Sequence, residues 1–146
     1  MSKSNTFEND LLQLIFNNVD IADIGDAGGL QNSATAGSLY IALHTGDPGE
    51  AGTATTSECA YTSYARVAVA RSGAGWTVAT NTSTNAALIQ FPECTGGSET
   101  ITHVSITVAS SGASKILYSG ALTASRSVSS GIQPQFAASA LVVTED

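Results

Sequence analysis

Short runs in which apolar and polar residues alternate are the feature of this chain that most limits its fold. Side chains at every second position of a β-strand lie on the same face, so alternation with a period of two predicts strands with one buried face. The clearest runs cover residues 39–44, 66–70 and 103–108. Shorter runs of the same kind cover residues 76–79, 86–91, 115–119 and 140–144. We therefore expect a mainly β protein.

Turn-forming clusters separate these runs at close intervals. Gly46-Asp47-Pro48-Gly49 and Ser72-Gly73-Ala74-Gly75 are two of them. Glycine permits a positive φ and proline presets φ near about −65°, so each cluster is suited to reverse the direction of the chain. Many short strands joined by such turns are typical of an antiparallel β-sandwich or barrel, here expected to be jelly-roll-like.

One helix is predicted, at the N-terminus. Apolar residues recur there at spacings of three and four: Phe7, Leu11, Leu12, Leu14 and Ile15. This spacing forms an apolar stripe on a helix, and Asn5 is the expected N-terminal cap. The glycine-rich and asparagine-rich residues that follow, up to residue 37, predict a loop or an extended arm. We expect the helix and arm over residues 1–37 and a single β-sandwich domain over residues 38–146.

A low charge content indicates that partners cover part of the surface. Charged residues make up 12% of the chain, about half of the roughly 25% that is usual in soluble domains. The balance is acidic, because 5 Lys and Arg against 12 Asp and Glu give a net charge of −7. An acidic surface neither displaces the counterions of phosphates nor attracts anionic lipids, so we expect no nucleic-acid partner and no membrane partner.

No arrangement of residues indicates catalysis or a bound cofactor. None of the serines lies in a Gly-x-Ser-x-Gly elbow, and no glycine-rich phosphate-binding loop is present. The candidate metal ligands are His44, Cys59, Cys94 and His103, but no two of them have the close spacing typical of structural zinc sites. We therefore expect no metal and no cofactor. Because we expect no signal peptide, we expect the two cysteines as reduced thiols, with a disulfide as the alternative.

One enzymatic alternative stays open at this point. Paired carboxylates hydrolyse glycosidic bonds, and spacing in sequence does not give their separation in a fold. Glu58, Glu93 and Glu99 are the candidates for such a glycan hydrolase. Carbohydrate-cleaving sites usually display several aromatic platforms, whereas the aromatic residues here lie mostly within the predicted strands. We expect no enzymatic activity.

Several stretches together resemble a family of small virion structural proteins of tailed bacteriophages, often labelled tail fibre proteins. The resemblance starts at Leu39–Gly49 and continues through six further segments: Phe7–Leu12, Tyr64–Val69, Asn85–Pro92, Thr102-His103, Tyr118–Leu122 and Pro134–Ala137. It covers nearly the whole chain and implies a β-rich virion component without enzymatic activity. It carries over no catalytic residues.

A capsid decoration, or cement, protein is the first functional expectation. Such a protein would associate with itself as a homodimer or homotrimer and bind the major capsid protein or other virion proteins. The alternative is a tail-fibre or tail-tip component that contacts the host receptor. In either case we expect the protein in the virion, after assembly in the host cytoplasm.

The residues expected at interfaces fall into three groups. Phe7, Leu11 and Ile15 would dock the helix, either on its own sandwich or on a neighbouring subunit. Tyr61 and Tyr64 would make exposed contacts, with packing in the core or at its rim as the alternative. Arg66 and Arg71 are scarce cations that would pair with acidic groups, either on a partner or within the chain.

Overall fold

The computed structural model describes residues 2–146 and places one helix and nine strands within them. In chain order these are α1 (Asn5–Asn17), β1 (Ser38–His44), β2 (Val67–Ala70), β3 (Trp76–Ala79), β4 (Thr82–Asn85), β5 (Ile89–Gln90), β6 (Ser98–Thr107), β7 (Ile116–Ser129), β8 (Gln135–Phe136) and β9 (Val142–Thr144). Strands account for 38% of the residues and the helix for 9%. The prediction of a mainly β fold with a single N-terminal helix is confirmed.

The strands form three sheets. The largest has the order β2-β1-β6-β7, the second the order β3-β4-β9, and the third pairs β5 with β8. The pairs β1–β6, β6–β7, β3–β4 and β4–β9 are all antiparallel, as predicted. Within residues 2–146 the sheets do not close into a barrel, so that alternative is wrong.

The chain divides into two compact units. The helix unit comprises residues 2–38, 69–88 and 136–146, and the clamp unit comprises residues 39–68 and 89–135. The helix unit contains α1 with the β3-β4-β9 sheet, and the clamp unit contains most of the four-stranded sheet. The predicted division into residues 1–37 and 38–146 stays a prediction.

Helix α1 begins one residue earlier than the sequence suggests. Ser4, not Asn5, is the N-cap, and its Oγ accepts a hydrogen bond from the backbone N–H of Phe7 at 3.3 Å. A serine in extended backbone satisfies one of the free N–H groups of the first turn as well as asparagine does, so the two neighbours compete for this position. At the other end Asn18 adopts the left-handed conformation, with a φ of 58°, and stops the helix.

The helix packs its apolar stripe onto β3 and β4 of the helix unit. Leu12 and Phe16 are fully buried, and the ring of Phe16 lies 4.6 Å from that of Trp76 between centroids. Burial of two large apolar side chains contributes about 3–6 kcal/mol to folding. This packing, rather than intrinsic propensity, is what stabilises a helix of 13 residues.

The last turn of α1 is closed by a side chain from outside the helix. Arg71 donates from Nε to the carbonyl of Ile15 at 2.7 Å and from a terminal nitrogen to the carbonyl of Leu14 at 2.7 Å. A third bond reaches the carbonyl of Ala36 at 3.1 Å. The last turn contains no basic residue of its own, so Arg71 supplies the positive charge that the C-terminal end of a helix favours.

Residues 19–37 form a folded loop, which is the first of the two alternatives for this segment. Ile21 and Leu30 exchange two backbone hydrogen bonds, at 3.0 and 2.8 Å, and Ile21 is buried. The side chain of Asn18 contacts the backbone of Ser33 on both its oxygen and its nitrogen side. These bonds hold the segment back on itself.

Asn85 ties β4 to the segment before β9. Its side-chain oxygen accepts from the N–H of Leu141 at 2.8 Å, and its nitrogen donates to the carbonyls of Ala87 and Ala137, each at 2.8 Å. Asn85 is fully buried, and these bonds use both N–H groups and the oxygen of its side-chain amide. Strand β4 itself was not predicted, because its sequence is entirely polar.

Two other boundaries differ from the prediction. In the run 86–91 only β5 is a strand, and the run that was expected to end at residue 119 continues to residue 129 as β7.

Among residues 2–146 no helix is both long and apolar enough to cross a membrane.

Candidate functional site

His44 and Ser105 form a serine–histidine pair in the interior of the clamp unit. His44 donates from Nδ1 to the carbonyl of Thr56 at 2.9 Å, and Ser105 donates from Oγ to His44 Nε2 at 2.8 Å. Because a carbonyl only accepts, the first bond assigns the proton to Nδ1 and leaves Nε2 as an acceptor. A hydroxyl, an imidazole and an orienting acceptor in this order are also the parts that activate a serine nucleophile.

Burial separates this pair from any substrate. His44 is fully buried and Ser105 is 1% exposed, so the hydroxyl that would attack cannot reach a molecule in solution. Burial also lowers the pKa of His44, which keeps the imidazole neutral. The pair therefore acts as a structural link that holds β1 and β6 to the loop containing Thr56.

Arg66 joins three segments of the clamp unit and uses all five of its N–H groups. It forms a bidentate pair with Glu58, at 2.6 Å from Nε to Oε1 and 2.8 Å from a terminal nitrogen to Oε2. The remaining three N–H groups bind the carbonyls of Ala109 and Gly112 and the hydroxyl of Ser114, at 2.9, 2.8 and 3.2 Å. The Arg66 side chain is only 2% exposed. A buried guanidinium with every donor satisfied holds its partners in one fixed geometry.

Tyr64 extends this network to β1. Its hydroxyl donates to Glu58 Oε1 at 3.1 Å and accepts from the backbone N–H of Leu43 at 2.9 Å. Burial raises the pKa of the Tyr64 phenol, so the group stays protonated and keeps its role as donor. We call Glu58, Tyr64 and Arg66 the clamp.

The clamp holds two exposed loops side by side. We call residues 45–57 and 108–115 the loop pair. The N–H of Ala54 in the first loop donates to the carbonyl of Ser114 in the second at 2.9 Å. The tips of both loops are exposed, at Asp47 and Glu50 in the first and at residues 110–113 in the second. Exposed loops on a rigid β scaffold are where proteins commonly place binding surfaces.

A second carboxylate, Glu99, fixes the segment after the first loop. Its two oxygens accept from the N–H groups of Ala60 and Tyr61 at 2.9–3.1 Å. Glu58 and Glu99, two of the three candidate carboxylates of a glycan hydrolase, are thus engaged in contacts within the protein. The third, Glu93, is exposed.

The expectation that Tyr61 makes an exposed contact is wrong. Tyr61 is 3% exposed, and its hydroxyl donates to the carbonyl of Pro92 at 3.0 Å. Its ring packs edge-on against Tyr64 at 5.3 Å, and Tyr64 in turn stacks with Phe91 at 6.3 Å. Alternation cannot separate a buried aromatic from a surface one in a segment without regular structure, so the sequence left both alternatives open.

The other candidate interface residues lie in three settings. Phe7, Leu11 and Ile15 are half-buried on α1, and their contact with another subunit stays a prediction. Arg66 and Arg71 both bind groups of their own chain, Arg66 a carboxylate and Arg71 the carbonyls of α1. The intramolecular alternative for these two cations is therefore what the structure contains.

The two cysteines are free thiols, and both are buried. Burial is the main cause, and the nearby Glu99 the second, of a rise in the pKa of Cys59 to about 12. A thiol with such a pKa is almost wholly protonated at neutral pH and reacts slowly. In the part of the chain that the structure describes, no three His, Cys, Asp or Glu side chains are grouped to hold a metal ion.

Sequence reasoning missed most members of these networks. Ser105, Ser114 and Thr56 are ordinary residues of a serine-rich and threonine-rich chain, and nothing in their local pattern marks them. Arg66 was the one signal in the sequence that could have indicated the clamp. It directly precedes an apolar strand, and a cation that is buried with such a strand needs an acidic partner.

A family model described as podophage GP4 fiber I protein gp80 matches residues 2–144. The chain belongs to this family. The fiber I protein family is one of phage virion components, so the protein is a structural protein of the virion, and the resemblance to tailed-phage proteins is confirmed. No curated protein matches the chain.

Proposed function

We propose that the protein is a tail-fibre component of the virion that acts by binding and not by catalysis. The match of residues 2–144 to a fiber I protein family carries the proposal. It supports the fibre location over the head-decoration role that we expected first. The burial of the His44–Ser105 pair supports a non-enzymatic role, because the hydroxyl has no path to a substrate.

The loop pair is the part of the protein proposed to contact the host receptor. Its two loops are held together by the clamp, so little conformational entropy is lost when they bind. Its exposed tips carry Asp47 and Glu50 but no aromatic residue. We expect recognition through hydrogen bonds and charge. Other copies of this chain and neighbouring virion proteins are the proposed structural partners.

Immunogold electron microscopy of intact virions tests the location. Antibodies against this chain should place gold on the tail region, and virions of a phage lacking the gene should show none. Gold spread evenly over the heads would overturn the fibre proposal in favour of decoration. Detection of the protein in purified virions by mass spectrometry separates a hidden epitope from an absent protein.

Binding to host cells tests the role of the loop pair. Purified protein should bind host cells saturably, and Glu50→Lys should reduce binding, because it reverses a charge at an exposed loop tip. Asp23→Lys, the same charge reversal at an exposed position of the helix unit, is the matched control and should bind normally. Equal binding by both variants would exclude the loop pair as the receptor surface.

A further inference from the structure

Residues 18–33, which follow helix α1, form a loop whose two ends are bonded to each other. The side chain of Asn18 donates to the carbonyl of Ser33 and accepts from its N–H, each at 2.9 Å. Further along the loop, Ile21 and Leu30 exchange two backbone hydrogen bonds, and Ile21 is buried. We call residues 18–33 the closed loop. These bonds and the burial of Ile21 attach its base firmly to the helix unit.

The tip of the closed loop, residues 22–28, is exposed at every position, and its last part is a defined turn. Asp26 Oδ1 accepts from the N–H groups of Gly28 and Gly29 at 2.8 and 3.1 Å. Gly29 has a φ of 58°, and a Cβ at this position would collide with the carbonyl of Ile21. Only glycine fits this position without strain. The path of the tip is therefore set by the loop itself.

Large apolar side chains of the closed loop are exposed. Ile24 in the tip is 38% exposed, and Val19 and Leu30 nearer the base are 48% and 42% exposed. These are three of the seven large apolar residues that are exposed among residues 2–146. Apolar surface in water is unfavourable, and its concentration in one exposed segment is typical of an interaction site.

Two carboxylates flank Ile24 in the tip, and neither has a cationic partner among residues 2–146. Asp23 directly precedes Ile24, and Asp26 follows it by two positions; both are exposed. The ion pairs of the described residues join Lys3 to Glu145 and Arg66 to Glu58. Arg71 contacts the closed loop through the hydroxyl of Ser33, but its other N–H groups donate to backbone carbonyls. The tip thus presents one apolar side chain between two negative charges.

We propose that the tip of the closed loop binds a neighbouring virion protein by inserting Ile24 into an apolar pocket whose rim carries lysine or arginine side chains. These cations pair with Asp23 and Asp26, and the exclusion of water around Ile24 strengthens the pairs. A symmetric contact between two copies is disfavoured, because it would bring the same carboxylates together. This inference gives the chemistry of the virion partner proposed above, and it does not depend on whether that partner lies in the tail or the head.

Competition during virion assembly tests the proposal. Host cells that express the unchanged protein and one variant together are infected with a phage that lacks the gene. Mass spectrometry then gives the ratio of variant to unchanged protein in purified virions, divided by the same ratio in the soluble fraction of the cells. Ile24→Ser should be incorporated about tenfold less than the unchanged protein, because the apolar anchor is lost.

Charge variants complete the test of the tip. Asp23→Asn/Asp26→Asn should be incorporated about fivefold less, the effect of two ion pairs at a rim. Asp47→Asn/Glu50→Gln removes the same charge from another exposed loop and is the matched control, which should be incorporated as well as the unchanged protein. Normal incorporation of Ile24→Ser or of the Asp23/Asp26 variant would overturn the proposal, and so would equal depletion of the control.

Two measurements on the purified proteins separate this proposal from its alternatives. Ile24→Ser should bind host cells as the unchanged protein does, so a failure of the receptor proposal for the loop pair is distinguishable from a failure here. Analytical ultracentrifugation should show the same oligomeric state for both proteins. If the unchanged protein is an oligomer that Ile24→Ser dissociates, the tip binds a second copy and the proposal of a different partner is wrong.

Discussion

Arg66 and Glu58 form a bidentate ion pair whose guanidinium also binds two carbonyls and a hydroxyl of the 109–114 turn. The two residues are eight positions apart in sequence, and the turn is more than forty positions away. One side chain thus fixes the position of both members of the loop pair.

Arg66→Met should destabilise the protein by about 3–5 kcal/mol, because it leaves the Glu58 carboxylate without its partner in a largely buried site. Arg66→Lys should recover only part of the loss, since an ammonium group cannot make the two parallel bonds. Urea denaturation measures both values. Arg126→Met, at an exposed position of β7, is the control and should change the free energy of unfolding by less than about 0.5 kcal/mol. If Arg66→Met lowers the free energy of unfolding by less than about 1 kcal/mol, the clamp does not stabilise the protein as we expect.

Arg71→Gln should weaken helix α1. The substitution removes the charge and the bonds to the carbonyls of Leu14 and Ile15, so we expect a loss of about 2 kcal/mol. Circular dichroism in the far ultraviolet should show that the variant loses its helix at a lower temperature than the unchanged protein. Lys3→Gln, which removes a partly buried ion pair with Glu145, should have a smaller effect. Equal effects would mean that Arg71 contributes no more than a surface charge.

His44 should make stability depend on pH. Its pKa in the folded protein is lowered, chiefly by burial, so below about pH 6.5 the unfolded chain binds a proton that the folded chain does not. Stability should therefore be complete above this pH and fall as the pH decreases below it, by at most about 1.4 kcal/mol per pH unit. His44→Asn retains a donor for the Thr56 carbonyl and should remove this slope. His103→Asn, on the neighbouring strand, is the control. A slope that survives His44→Asn would assign it to another group.

Asn85→Leu should cost about 3 kcal/mol or more. The change removes three hydrogen bonds and leaves the N–H of Leu141 and two carbonyls without this partner in the interior. Asn81→Leu removes one bond at a half-buried position and should cost about 1 kcal/mol. Chemical denaturation of both variants gives the comparison, and equal losses would show that Asn85 is not a central link of the helix unit.

Cys59 should resist modification while the protein is folded. The thiolate is the reactive form of a cysteine. Because the pKa of Cys59 is raised to about 12, only about one Cys59 thiol in ten thousand is ionised at ~pH 8. Reaction with a disulfide reagent should be slow in buffer and fast in urea. Ser130→Cys places a thiol at an exposed position and should react at once. Rapid reaction of Cys59 in buffer would contradict its burial.

Some elements followed directly from local sequence. The alternation around Ile41 predicted β1 to within one residue, and the run at Trp76 matched β3 at both ends. In β1 the alternating residues Leu39, Ile41 and Leu43 lie in the core, although Ala42 and His44 are buried as well. In β3 Trp76 is buried and Val78 half-buried. Strand β4 was missed because its inward side chains are Ser83 and Asn85, so a buried face carries no apolar signal.

Sequence by itself determined the β character, the N-terminal helix and the family, because periodicity, turn residues and motif order are properties of neighbouring positions. Only the tertiary structure decided which charges are free. It paired Arg66 with Glu58, placed Arg71 at the end of α1 and left Lys115 and Arg126 exposed. Such contacts join residues that are distant in sequence, and their energy depends on burial and geometry, which no local pattern contains.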